Sequence, residues 1–306
     1  MQAQTTSHLL MIKPVRFSFN AETAVNNSFQ QAFGGDTVAE KAALEFEKFV
    51  NVLTTAGIDV TVVPDTPDPH TPDSVFPNNW ISFHSDGSII LYPMFATNRR
   101  MERKPHVIKA IHEKFTVKDT IDLSGYESQD LFLEGTGSMV LDRTNAIAYA
   151  CLSPRTNKEV LNDWAEKAGY RIVSFISVDS NGSPIYHTNV MMCVADQYAV
   201  ICFDSIPDPN ERSLVEASLT ASGKEIITIS FDQMNHFAGN MLQVQNQKGQ
   251  LFLVMSSQAF LSLTKDQVER LETYNPILHS DISTIETNGG GSARCMMAEI
   301  FLSKNR

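Results

Sequence analysis

A strand, strand, helix, strand unit recurs along this chain, and that recurrence limits the fold more than any single residue does. Four stretches read alike: ISFHSDGSIILYPM from Ile81, SMVLDRTNAIAYACL from Ser138, NVMMCVADQYAVICF from Asn189 and NMLQVQNQKGQLFLVM from Asn240. Each joins two apolar runs rich in β-formers through a short polar turn, the pattern of a hairpin. A helix-like segment follows each hairpin, and then a further strand-like run: FTVKDTIDL, YRIVSFISV, KEIITISF and ILHSDISTI. Ser153 is placed to cap the second of these helices with Pro154 in its first position, Asp208 and Thr264 cap the next two, and Pro105 marks a boundary in the least regular one. A first helix and strand, TVAEKAALEFEKFVNVLTTAGIDVTVV, stand ahead of the first hairpin, while the last strand, RCMMAEIFL, has no partner behind it. The amino-terminal HLLMIKP can supply that partner. Five units then close into a ring, one of them built from both chain ends, so the expected fold is α/β, a pseudo-fivefold propeller in a single domain over residues 1–306.

Polar or small residues stand just before each first strand at Asn79, Glu134, His187, Gly239 and Cys295, spaced 55, 53, 52 and 56 residues apart. Equivalent strand starts in a ring point to its axis, so Asn79, Glu134, His187 and Cys295 are expected to converge there.

Composition narrows the function. A chain of 306 residues with 42% hydrophobic content buries a sizeable core, and its formal net charge of −11 excludes the basic field that nucleic acid or an anionic membrane requires. No run is apolar and long enough to span a membrane, and MQAQTTSHLL has neither the basic flank nor the apolar stretch of a signal peptide, which implies a cytoplasmic protein. Four cysteines without CxxC spacing read as free thiols and give no metal site. A small molecule is the expected partner, and assembly into a homo-oligomer stays open.

Cys151, Cys193 and Cys202 lie inside apolar strand patterns and read as core residues. Cys295 differs. It follows the glycines of NGGGSARCMM and an arginine, where backbone N–H groups and a nearby cation favour a thiolate. EGTGSM after Glu134 lacks the spacing of a dinucleotide fingerprint. A thiolate, an imidazole and a carboxylate in one cleft make a nucleophile, a general acid/base and an orienting group. The same set would serve a peptidase, so the chemistry alone leaves the substrate open.

Six motifs, PDSVFPNNW, NRRMER, LEGTGSM, LSPRTN, YHTN and GGGSARCM, together resemble the pentein, or guanidino-group-modifying, superfamily of arginine deiminases, agmatine deiminases, dimethylarginine dimethylaminohydrolases and glycine amidinotransferases, and the resemblance covers essentially the whole chain. The resemblance implies a five-bladed α/β propeller with Cys295 as nucleophile, His187 as acid/base and Glu134 as the carboxylate that holds substrate nitrogens. It also implies that Arg99 and Arg155 grip an α-carboxylate, that Asp73 takes the α-amino group, that residues around Phe17 to Asn20 belong to a lid, and that no cofactor is needed. The chain departs from the pattern where an acid is usual: it carries Asn78 and Asn79 after PDSVFP, and Asn189 in His187-Thr188-Asn189 where deiminases often read HxD. Asparagine donates as well as accepts, so two asparagines and one carboxylate suit a neutral ureido group better than a guanidinium. The expected activity is therefore hydrolysis of citrulline, as in the citrulline-utilisation hydrolase branch. The alternatives are an arginine deiminase or dimethylargininase, an amidinotransferase, and a non-catalytic binding protein like the superfamily's ribosome-binding initiation factor.

Overall fold

The computed structural model of the chain describes residues 2–33 and 35–305. Its strands are β1 (His8–Lys13), β2 (Asp59–Pro64), β3 (Ile81–Phe83), β4 (Ser88–Leu91), β5 (Asp119–Asp122), β6 (Val140–Asp142), β7 (Ile147–Cys151), β8 (Arg171–Phe175), β9 (Met192–Val194), β10 (Tyr198–Ile201), β11 (Glu225–Thr228), β12 (Leu242–Gln245), β13 (Leu251–Ser256), β14 (Ile277–Ser280) and β15 (Ala298–Glu299). They form five sheets of three strands, in the orders β15-β1-β2, β3-β4-β5, β6-β7-β8, β9-β10-β11 and β12-β13-β14. In each, the first strand runs antiparallel to the middle one, as Ile81 opposite Leu91, and the third runs parallel after a helical crossover, as Leu91 beside Asp122.

The repeat read from the sequence is therefore present five times, and the amino-terminal strand does pair with the carboxy-terminal one, Leu9 opposite Glu299 and Leu10 opposite Ala298. The five small sheets fit a pseudo-fivefold arrangement, with β3 lying against β15, β6 against β9, and β9 against β12.

The crossover helices cover the sheets through one apolar stripe. In Val38–Thr55 the buried residues include Ala42, Phe46, Phe49 and Leu53, spaced by three and four residues, and this face lies on β2 and β14. Asp208 caps Pro209–Ala221 as expected, and Thr264 caps Lys265–Glu272 with Gln267 in a reciprocal capping box. The helix Pro105–Lys114 begins at Pro105. One expected boundary was misplaced: the second crossover helix is Lys158–Ala168, capped by Asn157, whose side chain accepts from the N–H of Glu159 and Val160. Ser153 is held elsewhere, donating to the carbonyl of Tyr186 at 2.8 Å and accepting from the N–H of Arg155 at 3.1 Å. Among the described residues no helix is long and apolar enough to cross a membrane, and all four cysteines are free and buried.

Candidate active site

The sequence places its polar residues directly before the strands, but the structure inserts a short helical turn between most of them and the strand. Asn78 and Asn79 end the turn Pro77–Asn79, Glu134 precedes Gly135–Ser138, and His187 precedes Thr188–Met191. Cys295 lies in a turn ahead of β15, its N–H donating to the carbonyl of Ser292 at 2.9 Å. Asn79, His187 and Cys295 line one cavity together with Thr23, Asn27, Asp73, Phe76, Arg99, Arg155, Tyr186 and the Gly289–Gly291 run, while Glu134 lies fully buried behind His187.

The glycines at this centre are sterically required. A Cβ on Gly137 would fall 2.4 Å from Nδ2 of Asn79 and 2.7 Å from Nδ1 of His187. Gly290 has a φ of 63° and closes the helix Ser283–Gly289, a left-handed position that suits glycine. Gly289 and Gly291 give room to the ring of Phe76, which an added Cβ would approach to 2.7 and 3.0 Å. We therefore expect Gly137→Ala to displace both Asn79 and His187, at a cost of about 1–3 kcal/mol in stability. Turnover should fall roughly 10²-fold or more, because a displacement of 1 Å in reacting groups has that effect. Circular dichroism melts and steady-state rates of the variant check this, and unchanged kcat would contradict the geometry.

Nε2 of His187 lies 2.8 Å from Oε2 of Glu134. Burial alone would raise the Glu134 carboxyl, but Arg155, His187 and Arg99 hold it ionised, down to about 2. An ionised carboxylate only accepts, so Nε2 carries the hydrogen and Nδ1 keeps its lone pair. Burial lowers the imidazole to about 4, helped by Arg155 and Arg99 and opposed by Glu134. The ring is neutral at pH 7. Glu134 also accepts the N–H of Phe95 on Oε1 at 3.0 Å.

The sulfur of Cys295 is surrounded by amides. Nδ2 of Asn189 lies 3.4 Å away and Nδ2 of Asn240 lies 3.3 Å away, an arrangement that a thiolate accepts better than a thiol does. Asn240 was not singled out from the sequence, which aligned its neighbour Gly239 by spacing. It is fixed by accepting the N–H of Arg294 at 3.0 Å and by donating to the carbonyl of Asn189 at 2.9 Å. Asn78 stands behind Asn79, accepting from its Nδ2 at 3.1 Å and donating to Thr136 at 3.3 Å, and does not line the cavity.

Both arginines are engaged with protein groups. Arg99 makes two parallel bonds of 2.9 Å to Glu102, a third of 2.8 Å to Oδ1 of Asn79 and a fourth to the carbonyl of Phe76. Arg155 donates to Oδ1 of Asn26 from both Nε and NH2, and to the carbonyl of Thr23 at 2.7 Å. Its guanidinium lies over the ring of Tyr186, 5.0 Å from the centroid. Asp73 accepts from Asn20 and Thr23 through Oδ2 only, and its buried Oδ1 has no partner. Burial raises this carboxyl despite Arg99, Asn20 and Thr23.

Asn20, Thr23, Asn26 and Asn27 belong to the segment between β1 and the helix Val38–Thr55, so the expected cover reaches further than Phe17 to Asn20. Asn27 donates to the carbonyl of Gly290 at 3.1 Å, and Gln30 donates to that of Asn288 at 2.8 Å. Under this cover the cavity has only about 10 Å³, room for about one water. An amino acid cannot occupy it unless the cover moves. A thiol, an imidazole and a carboxylate around one cavity are the parts of an activated nucleophile with its proton shuttle.

Comparison with known proteins places this geometry in context. A family model described as N,N-dimethylarginine dimethylhydrolase, eukaryotic, matches residues 13–302. No curated protein matches the chain. Among solved structures, ArgZ in its apo form, an arginine dihydrolase from the ornithine–ammonia cycle in cyanobacteria, superposes with a TM-score of 0.76 at 18% identity over 96% of this chain and 40% of that one. Unliganded AgrE gives 0.76 at 17% identity over 98% of this chain and 40% of that one. A dimethylarginine dimethylaminohydrolase adduct with 4-chloro-2-hydroxymethylpyridine gives 0.66 at 17% identity, covering 96% and 99%. The chain thus spans 40% of apo ArgZ and of unliganded AgrE but 99% of one structure of the amino-terminal domain of ArgZ. At these identities the structural matches speak for the fold.

Proposed function

This chain belongs to the eukaryotic N,N-dimethylarginine dimethylhydrolase family, in the pentein superfamily of hydrolases acting on non-peptide C–N bonds, and from that premise we propose that it cleaves the ureido group of citrulline through Cys295. The observation that carries the substrate is the company of the sulfur: Asn189 and Asn240 lie on it, Asn79 lines the same cavity, and the one carboxylate beneath His187 is already paired with Arg155 and Arg99 at 3.6 and 3.9 Å. Apart from Asp73, whose open Oδ1 this reading gives to the α-ammonium, a guanidinium would meet only a carboxylate already committed to arginines, whereas a neutral urea meets amides that both donate and accept.

In this reading neutral His187 takes the proton of the Cys295 thiol, and the sulfur attacks the ureido carbon. The C–N bond to the side-chain nitrogen breaks, His187 returns the proton to the leaving amine, and a carbamoyl thioester remains on Cys295. Water, deprotonated by His187, then breaks the C–S bond and releases carbamate, restoring the thiol. Arg155 takes the α-carboxylate in exchange for Asn26, a bidentate match, and Asp73 takes the α-ammonium on its free Oδ1. Arg99 keeps Asn79 in place. We read residues 1–306 as one catalytic domain whose five sheets are the blades of a closed ring, a reading supported by the pairing of β1 with β15.

A second reading is supported by the neighbours. An arginine dihydrolase breaks two C–N bonds, and the second must start from a ureido carbon. One structure of the ArgZ amino-terminal domain holds an asparagine-to-serine variant covalently bound to a reaction intermediate. The two readings separate on product analysis with citrulline, arginine and N,N-dimethylarginine. Ornithine from citrulline alone is the expected result. Ornithine from arginine would favour the dihydrolase, and citrulline from dimethylarginine would sink the ureido assignment.

A further inference from the structure

A larger cavity, of about 430 Å³, lies beside the active one. Its volume is in the usual range for small-molecule sites, roughly 300–1,000 Å³. It is lined by Phe29, whose ring packs on Tyr186 with centroids 6.1 Å apart, and by Phe237, whose ring lies 5.2 Å from that of Phe29. Phe237 holds a φ of 62°, a strained conformation for an aromatic residue, and strain of this kind collects at ligand sites. Among the described residues no lysine, arginine or histidine lines the cavity, and its charged groups are Asp179 and Glu286.

Glu286 is the anomaly. Among the described residues every other buried carboxylate, Asp65, Asp73, Glu102, Glu134, Asp142 and Glu299, has an arginine or lysine nitrogen within 4.0 Å, and Glu286 has none. It is 2% exposed and held by neutral donors, among them Ser292 and Gln258. Burial pushes its carboxyl up to about 7, with Glu45 and Asp281 adding to the negative field and Ser256 and Ser292 opposing.

We propose that this cavity is a second ligand site, for a small organic cation with an ammonium or guanidinium head that pairs with Glu286 and lies against Phe29 and Phe237. The site touches the catalytic parts. The carbonyl of Glu286 accepts the N–H of Gly290 at 2.8 Å, its side chain accepts from Ser292 three residues before Cys295, and the carbonyl of Thr287 accepts the N–H of Gln31 in the cover. A cation there ionises Glu286, strengthens the Ser292 bond and steadies both the cysteine turn and the cover.

Calorimetry on the protein carbamidomethylated at Cys295, which blocks the active cavity, tests this with butylamine and butylguanidine as cationic probes and butylurea as the neutral control. We expect either cation to bind at one site, butylurea not to bind, and Glu286→Gln to weaken binding at least ten-fold. In the unsubstituted protein, binding should be about ten-fold tighter at pH 8 than at pH 6, because the carboxyl ionises near 7 while both probes stay charged. No binding at millimolar probe, equal binding of butylurea, or an affinity indifferent to both Glu286→Gln and pH would overturn the proposal. None of these outcomes depends on whether citrulline is hydrolysed.

Discussion

Cys295→Ala will not turn over citrulline, the substrate proposed above, with kcat reduced roughly 10⁴-fold or more, while the fold survives. The loss is this large because the reaction has no other nucleophile. The remaining thiols are buried, and burial pushes Cys151 and Cys193 up to about 12 and Cys202 up to about 11, so none is ionised at neutral pH. Water is a poor substitute, being a weaker nucleophile than a thiolate, and the covered cavity has room for only about one. The structural cost is small by comparison: one buried sulfur is removed, and the side-chain amides of Asn189 and Asn240 lose an acceptor, about 1–3 kcal/mol in all. Initial rates with citrulline, alongside a thermal melt, separate the two effects. Residual activity within 100-fold of the unsubstituted enzyme would end the nucleophile assignment.

Glu134→Gln carries the second largest effect, and it reaches stability as well as rate. The substitution keeps the shape but removes the one carboxylate within 4.0 Å of Arg155 among the described residues, and its hydrogen bonds to the cover go to neutral groups, so a buried guanidinium is left uncompensated. Breaking one side of a buried pair costs about 3–5 kcal/mol. The pH dependence has a definite sign. Glu134 is held at about 2 against a reference value of 4.5. Its contribution is therefore complete above pH 4.5 and is lost as pH falls through 2, about 3 kcal/mol in total. Urea unfolding at several pH values between 5 and 3 should show stability falling less steeply with acid in the variant than in the parent protein. The rate should fall roughly 10²–10⁴-fold, because the amide cannot support the positive imidazole that forms when the thiol gives up its proton. A variant that keeps both the acid limb and the rate would show that Arg155 and His187 find their counter-charge elsewhere.

Much of the architecture could be read from residues alone, for a physical reason. Hairpins of alternating or fully apolar strands with polar turns advertise themselves at any register, and five copies reinforce one another. Asn79, Glu134, His187 and Cys295 were found because equivalent places in a repeat meet. The turns Gly135–Ser138 and Thr188–Met191 escaped notice because four residues carry no helical period. Asn240 escaped for a related reason: spacing identifies a turn but not which of its residues faces inward, and the alignment stopped at Gly239. At Asn157 two good capping residues competed. The tertiary contact between Ser153 and Tyr186, invisible in one dimension, decided between them. The cover's polar run, with Asn26, Asn27 and Gln30, has neither apolar period nor motif, and its role depends on what it touches.

The sheet shared by the two chain ends has a consequence for synthesis. Leu10 pairs with Ala298, a sequence separation far beyond that within any of the other four sheets. During translation the other four sheets can assemble from local segments as they emerge, but β1 holds an unpaired edge until Ala298 and Glu299 have left the ribosome. Nascent chains truncated before Ala298 would carry the imidazole and the carboxylate without the β15 edge beside β1, and would offer that open edge to any neighbouring strand.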